Sequence, residues 1–86
     1  MFDIVFVPEA RKRFEKLSKT GKKKTQKAIE LLAKNPFYGS NVSKLKGKYE
    51  GLYRYRTDPY RIVYEVDKDK KLIIILTIVR RSRAYK

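Results

Sequence analysis

Residues 2–7, FDIVFV, alternate well enough to form a strand, and Pro8 suits the first turn of a following helix, where its missing N–H costs nothing. Ala10, Phe14 and Leu17 then recur at i, i+4, i+7, which predicts a helix over roughly 9–19 with basic and acidic residues around its remaining faces. Thr20 and Gly21 break that pattern, and a second helix is predicted from about 22 to 34. One face of it carries Thr25, Ala28, Ile29 and Leu32, with Leu31 on the flank, and Asn35-Pro36 stops it. Residues 36–51 hold three of the four glycines and show no clear period; they read as a loop containing a short strand around Val42 to Leu45. Three strands follow, at 52–57, 60–66 and 72–79, joined by turns at Asp58-Pro59 and in DKDKK. Both faces of the last strand are apolar, which places it in the middle of a sheet, under helices on one side and partly covered on the other. A helix hairpin cannot bury its apolar face alone, so the prediction is an α+β fold: an N-terminal strand and two helices packed on a mostly antiparallel sheet of about four strands.

Side chains alternate across a strand, so Tyr53 and Tyr55 share one face while Arg54 and Arg56 share the other. The next strand repeats the division, with Tyr60, Ile62, Tyr64 and Val66 opposite Arg61, Val63 and Glu65. A turn pairing residue 57 with 60 sets Arg56 directly across from Arg61. Like charges so placed cost a few tenths of a kcal/mol up to about 1. Arginine in place of lysine points to geometry, because its planar fork fits phosphate oxygens and its plane stacks on a base. Lys44 and Lys46 on one side, and Arg80, Arg81, Arg83 and Tyr85 on the other, flank this face in sequence. Arg61 is expected to lie outside the core, and Glu65 to steer an arginine.

Composition narrows the chemistry. Eighty-six residues suit one domain, 1–86, with no linker or repeat. Neither cysteine nor histidine is present, which removes disulfides, thiolate nucleophiles, common zinc ligation and imidazole acid/base catalysis. No apolar run approaches the ~20 residues needed to cross a bilayer, so a soluble, cytoplasmic protein without membrane contact is expected. Twenty-three Lys and Arg against nine acids give a formal net charge of +14. That exceeds the magnitude of about 2–8 that solubility requires of a small domain, and it implies a polyanionic partner or an acidic protein that covers the surface. A solvated lysine-rich face with no specific ligand is the plainer alternative.

If the partner is RNA, cleavage by its own 2′-hydroxyl needs that hydroxyl deprotonated, the phosphorane stabilised and the 5′-oxygen protonated. Several arginines suit the middle requirement. With histidine absent, Tyr85 is the candidate for proton transfer, since neighbouring guanidinium groups favour its phenolate. Asp58, Glu65, Asp67 and Asp69 fall in or near turns, without a spacing that collects them around an ion. No metal or other cofactor is expected. A basic surface that holds RNA without chemistry stays open beside the catalytic reading.

FVPEARKRFEKL, the NP closing the second helix, LKG at 45–47, YRYRTDPYRIVYEV at 53–66 and VRRSRAY at 79–85 together resemble the RelE/ParE superfamily of toxins from type II toxin–antitoxin pairs, its RelE branch most of all. The strand motif followed by a basic segment ending in Tyr is specific to the superfamily; the helical part is not. The resemblance implies a microbial-ribonuclease-like fold and a ribosome-dependent, metal-independent endoribonuclease that cuts mRNA in the ribosomal A site by 2′-hydroxyl attack. It matches Arg54 and Arg56 to two basic residues that are often lysine in relatives, where a general-base role resides. It matches Arg61 to a transition-state stabiliser, Arg80-Arg81 to a His-Arg or Lys-Arg pair whose second member binds phosphate, and Tyr85 to a base-stacking residue active in proton transfer. Lys44, Lys46, Arg80 and Arg83 would bind substrate.

Arg80 stands where many relatives carry histidine, and the sequence runs one residue past Tyr85, where some relatives continue into a further helix. The implied partners are the 70S-type ribosome with its mRNA and a cognate acidic RelB-like antitoxin, in a complex compatible with a heterotetramer. That antitoxin is expected to wrap the helices and mask the tail bearing Arg81 and Tyr85. ParE-type relatives, which share the fold and poison DNA gyrase, supply the alternative function; a non-catalytic RNA- or ribosome-binding module is the other.

Overall fold

The computed structural model describes residues 1–81. Strand β1 (Asp3–Phe6) leads through Val7 into helix α1 (Pro8–Glu15), and helix α2 (Lys19–Lys34) follows after three residues. Strands β2 (Val42–Lys44), β3 (Tyr53–Thr57), β4 (Tyr60–Asp67) and β5 (Leu72–Arg80) complete a five-stranded sheet of order β1-β5-β4-β3-β2. β1 runs parallel to β5, and every other pairing is antiparallel. The expected α+β architecture is present, and the short strand expected around Val42 to Leu45 forms the β2 edge of the sheet.

The division between the helices falls earlier than the sequence pattern predicts. α1 ends at Glu15, and Leu17 packs on the core from outside any helix. Ser18 caps α2, its hydroxyl accepting from the Gly21 N–H at 3.0 Å, so α2 runs straight through Thr20 and Gly21. Gly21 is a contact residue rather than a breaker: a Cβ there would lie 2.5 Å from the Tyr60 hydroxyl oxygen. Thr25 is buried on the same face and donates its hydroxyl to the Gly21 carbonyl at 2.9 Å, so its own polar group is paired.

The core lies between the helices and one face of the sheet. Ala28, Ile29 and Leu32 of α2 and Ala10 of α1 meet Tyr60, Ile62 and Tyr64 of β4 and Ile73, Ile75 and Ile78 of β5. A train of rings extends this layer, Phe2 against Phe37 at 5.9 Å, Phe37 against Tyr53 at 5.7 Å, and Tyr53 stacked on Tyr64 at 5.6 Å. The buried Tyr64 hydroxyl donates to the Pro36 carbonyl at 2.7 Å. The spacing of Ile73, Ile75 and Ile78 departs from strict alternation because the β4–β5 register shifts between Val63 and Tyr64. Val63 faces Thr77 and Tyr64 faces Ile75, so Leu76 is passed over as a bulge.

Candidate nucleic-acid interface and active site

The turn at Asp58-Pro59 pairs Thr57 with Tyr60, and the ladder then sets Arg56 opposite Arg61 and Arg54 opposite Val63. Directly opposed residues share a face, so Arg54, Arg56 and Arg61 occupy one side of the sheet while the tyrosines of β3 and β4 turn towards the helices. The sheet thus brings three of the sequence-predicted arginines together. Arg56 is exposed and Arg54 half-buried.

Arg61 departs from expectation. It is only 7% exposed, not an open surface residue. Its Nη1 donates to Asp58 Oδ1 at 3.2 Å and to the Tyr60 carbonyl at 3.1 Å. The carboxylate partner is itself largely solvent-exposed, so the ion pair orients the guanidinium more than it stabilises the fold; exposed pairs are worth about 0–1 kcal/mol. In the sequence Asp58 reads as a turn residue without the spacing of a metal ligand. Its position three residues before Arg61, across a tight turn, is the signal that identifies it as the arginine's partner.

The same turn collects two further contacts. Lys24 of α2 donates to the Asp58 carbonyl at 3.1 Å. Arg81, directly after β5, donates its backbone N–H to the Pro59 carbonyl at 2.6 Å. The main chain at Arg81 is therefore fixed to the end of the sheet that holds Arg56 and Arg61.

Other predicted residues lie elsewhere. Lys44 pairs with Tyr53, which puts it on the aromatic face and not with the arginines. With Lys46 it lines a cavity of about 560 Å³ that Leu45, Leu52 and Tyr53 also border. Arg80 pairs with Tyr60 and lies over its ring, 5.8 Å from the centroid, again on the helix side. Alternation accounts for both, since a one-residue step along a strand reverses the face. Arg83 and Tyr85 lie outside the described residues. Glu65 is exposed; its strand neighbour on β5 is Ile74. Among the described residues no three acidic side chains gather where they could hold a metal ion, and no helix is long and apolar enough to cross a membrane.

The family model for the ParE toxin of the type II toxin–antitoxin system, parDE, matches residues 4–85. A Methanocaldococcus jannaschii protein carrying the toxin name RelE1 is 34% identical over 99% of this chain and 96% of its own length. The RelE–RelB complex of Pyrococcus horikoshii contains a chain that superposes with a TM-score of 0.81 at 28% identity, covering 96% of this chain and 98% of that one. The isolated Escherichia coli RelE toxin superposes with a TM-score of 0.82 at 23% identity, covering 98% and 88% respectively, a likeness of fold. The arginine-bearing sheet, the helix pair above its other face and these similarities along nearly the whole chain lead to one assignment: the chain belongs to the RelE/ParE superfamily of type II toxin–antitoxin toxins.

Proposed function

We propose that this toxin is a metal-independent endoribonuclease that cleaves mRNA in the ribosomal A site by attack of the RNA's own 2′-hydroxyl. The observation that carries the reading is the pairing of Arg56 with Arg61 on the sheet face away from the helices, Arg54 beside them and the backbone of Arg81 tied to the same end. Asp58 meets one corner of Arg61, Arg56 stands exposed opposite it, and a phosphodiester becoming a phosphorane is an anion that the pair would hold. In this reading Arg61 and Arg81 stabilise the phosphorane, Arg54 and Arg56 grip the flanking backbone and assist the proton's departure from the 2′-hydroxyl, and Tyr85 stacks on a base and transfers a proton. Lys46 and Arg83 add substrate contacts, whereas Lys44 and Arg80, on the helix side of the sheet, reach the RNA only beyond the arginine face.

The cognate partner is a RelB-like antitoxin whose acidic segment offsets the +14 charge. A groove of about 410 Å³ lined by Ile4, Phe6, Phe14 and Ile29, together with Arg11, Gln26 and Glu30, offers such a chain a hydrophobic seat. The domain is read as a single unit, 1–86, acting in the cytoplasm.

Primer extension on messenger translated in vitro, with and without ribosomes, tests the reading. Cleavage at A-site positions only when ribosomes are present is the expected result; no cleavage with ribosomes would contradict it. The match to the ParE family model favours one second reading, inhibition of DNA gyrase. Loss of supercoiling before loss of protein synthesis in an induced culture would select it.

A further inference from the structure

Arg61 has five N–H donors on a rigid plane, and Nη1 spends both of its own on Asp58 Oδ1 and the Tyr60 carbonyl. Among the described residues, Nε and Nη2 meet no acceptor. Those two atoms form the side-on edge of the guanidinium, the edge that receives two oxygens of one phosphate in parallel. The protein thus engages one corner of the plane and leaves the bidentate edge for a ligand. Because the group is buried, whatever occupies that edge is worth more than at the open surface.

Asp58 is in turn fixed. Its own carbonyl accepts from Lys24 on α2, and the next carbonyl, Pro59, accepts from the backbone of Arg81. We infer that Asp58 is the positioning residue of the site, a turn carboxylate that rotates and holds Arg61 so that its Nε/Nη2 edge faces the scissile phosphate. This rests on the nuclease reading for its catalytic consequence, though not for the orientation itself. Asp58 touches no reacting atom; it acts through Arg61, and a misaimed fork loses one of two parallel bonds at the moment charge develops.

Two measurements on the full chain separate the orientation from the chemistry. The ¹⁵N-resolved Nε–Hε signal of Arg61 reports its order in the free protein, without any substrate. Asp58→Ala is expected to broaden or shift it, and Asp58→Asn, which keeps an acceptor oxygen at the same reach, to restore most of the wild-type signal. Single-turnover cleavage of ribosome-bound mRNA should follow the same rank, wild type above Asn above Ala. The Ala variant should fall on the order of tenfold to a hundredfold in rate, with half-saturating concentration little changed. Thermal unfolding of both variants within a few degrees of wild type would confirm that the turn is intact. An Arg61 signal indifferent to Asp58→Ala overturns the inference whether or not the protein cuts RNA. An Arg61 signal that depends on Asp58 in a protein without nuclease activity upholds the positioning and removes the nuclease reading.

Discussion

At the residue scale, burial changes what two side chains do. Tyr64 is fully buried, and loss of hydration, followed by repulsion from the phenolates of Tyr53 and Tyr55, pushes its hydroxyl well above the ordinary tyrosine range. The folded state therefore holds this proton after an unfolded chain has released it. The resulting stability is complete below the unfolded tyrosine value of about 10 and drains away as pH rises beyond it. Tyr64→Phe should lower stability by about 1–3 kcal/mol at neutral pH, since the Pro36 carbonyl loses its donor. It should also flatten the decline above pH 10, as denaturant melts at pH 8 and pH 11 would show. Arg61 is the second case. Its position on the arginine face was legible from alternation alone, because Asp58-Pro59 fixes a two-residue turn and the turn fixes the register. Its burial was not legible, since that depends on how Asp58 folds back over the strand.

At the element scale, the misplaced helix boundary and the β5 bulge share a cause: local pattern loses to tertiary contact. Thr20-Gly21 resembles a stop, yet glycine stands there because Tyr60 fills the space a side chain would need. Gly21→Ala should therefore destabilise, by about 1–3 kcal/mol, despite alanine's higher helix propensity. A Tyr60→Phe background should relieve part of that cost, and a double-mutant cycle followed by thermal melts measures it. In β5 the run of isoleucines hid the slip at Leu76, because apolar residues on both faces leave no alternation to be broken. The strands at 53–57 and 60–67 were readable for the opposite reason: arginine and tyrosine alternate, and each marks its face. The same alternation, carried one residue further, would have placed Lys44 and Arg80 on the aromatic side.

At the scale of the whole molecule, a net charge of +14 far exceeds what nine acidic side chains can offset. The positive field is thus left for a partner. Binding of a single-stranded RNA should weaken linearly in log–log with salt; contact through four cations predicts a slope of about −3. Arg56→Ala should reduce the magnitude of that slope by about 0.7, which filter binding across a salt series would show. The helix pair, the sheet and the arginine face were all foreseeable; Asp58 was passed over because its role belongs to the folded turn and not to any linear motif. The central claim is that the arginines on this face, Arg61 foremost, hold the phosphate that is cut. Single-turnover cleavage of mRNA in stalled ribosomes by Arg61→Ala, with cooperative unfolding verified beside it, tests that claim most directly. A loss of a hundredfold or more, in line with removal of a preorganised transition-state donor, is the expected outcome; a folded Arg61→Ala protein cutting within about twofold of wild type would contradict it.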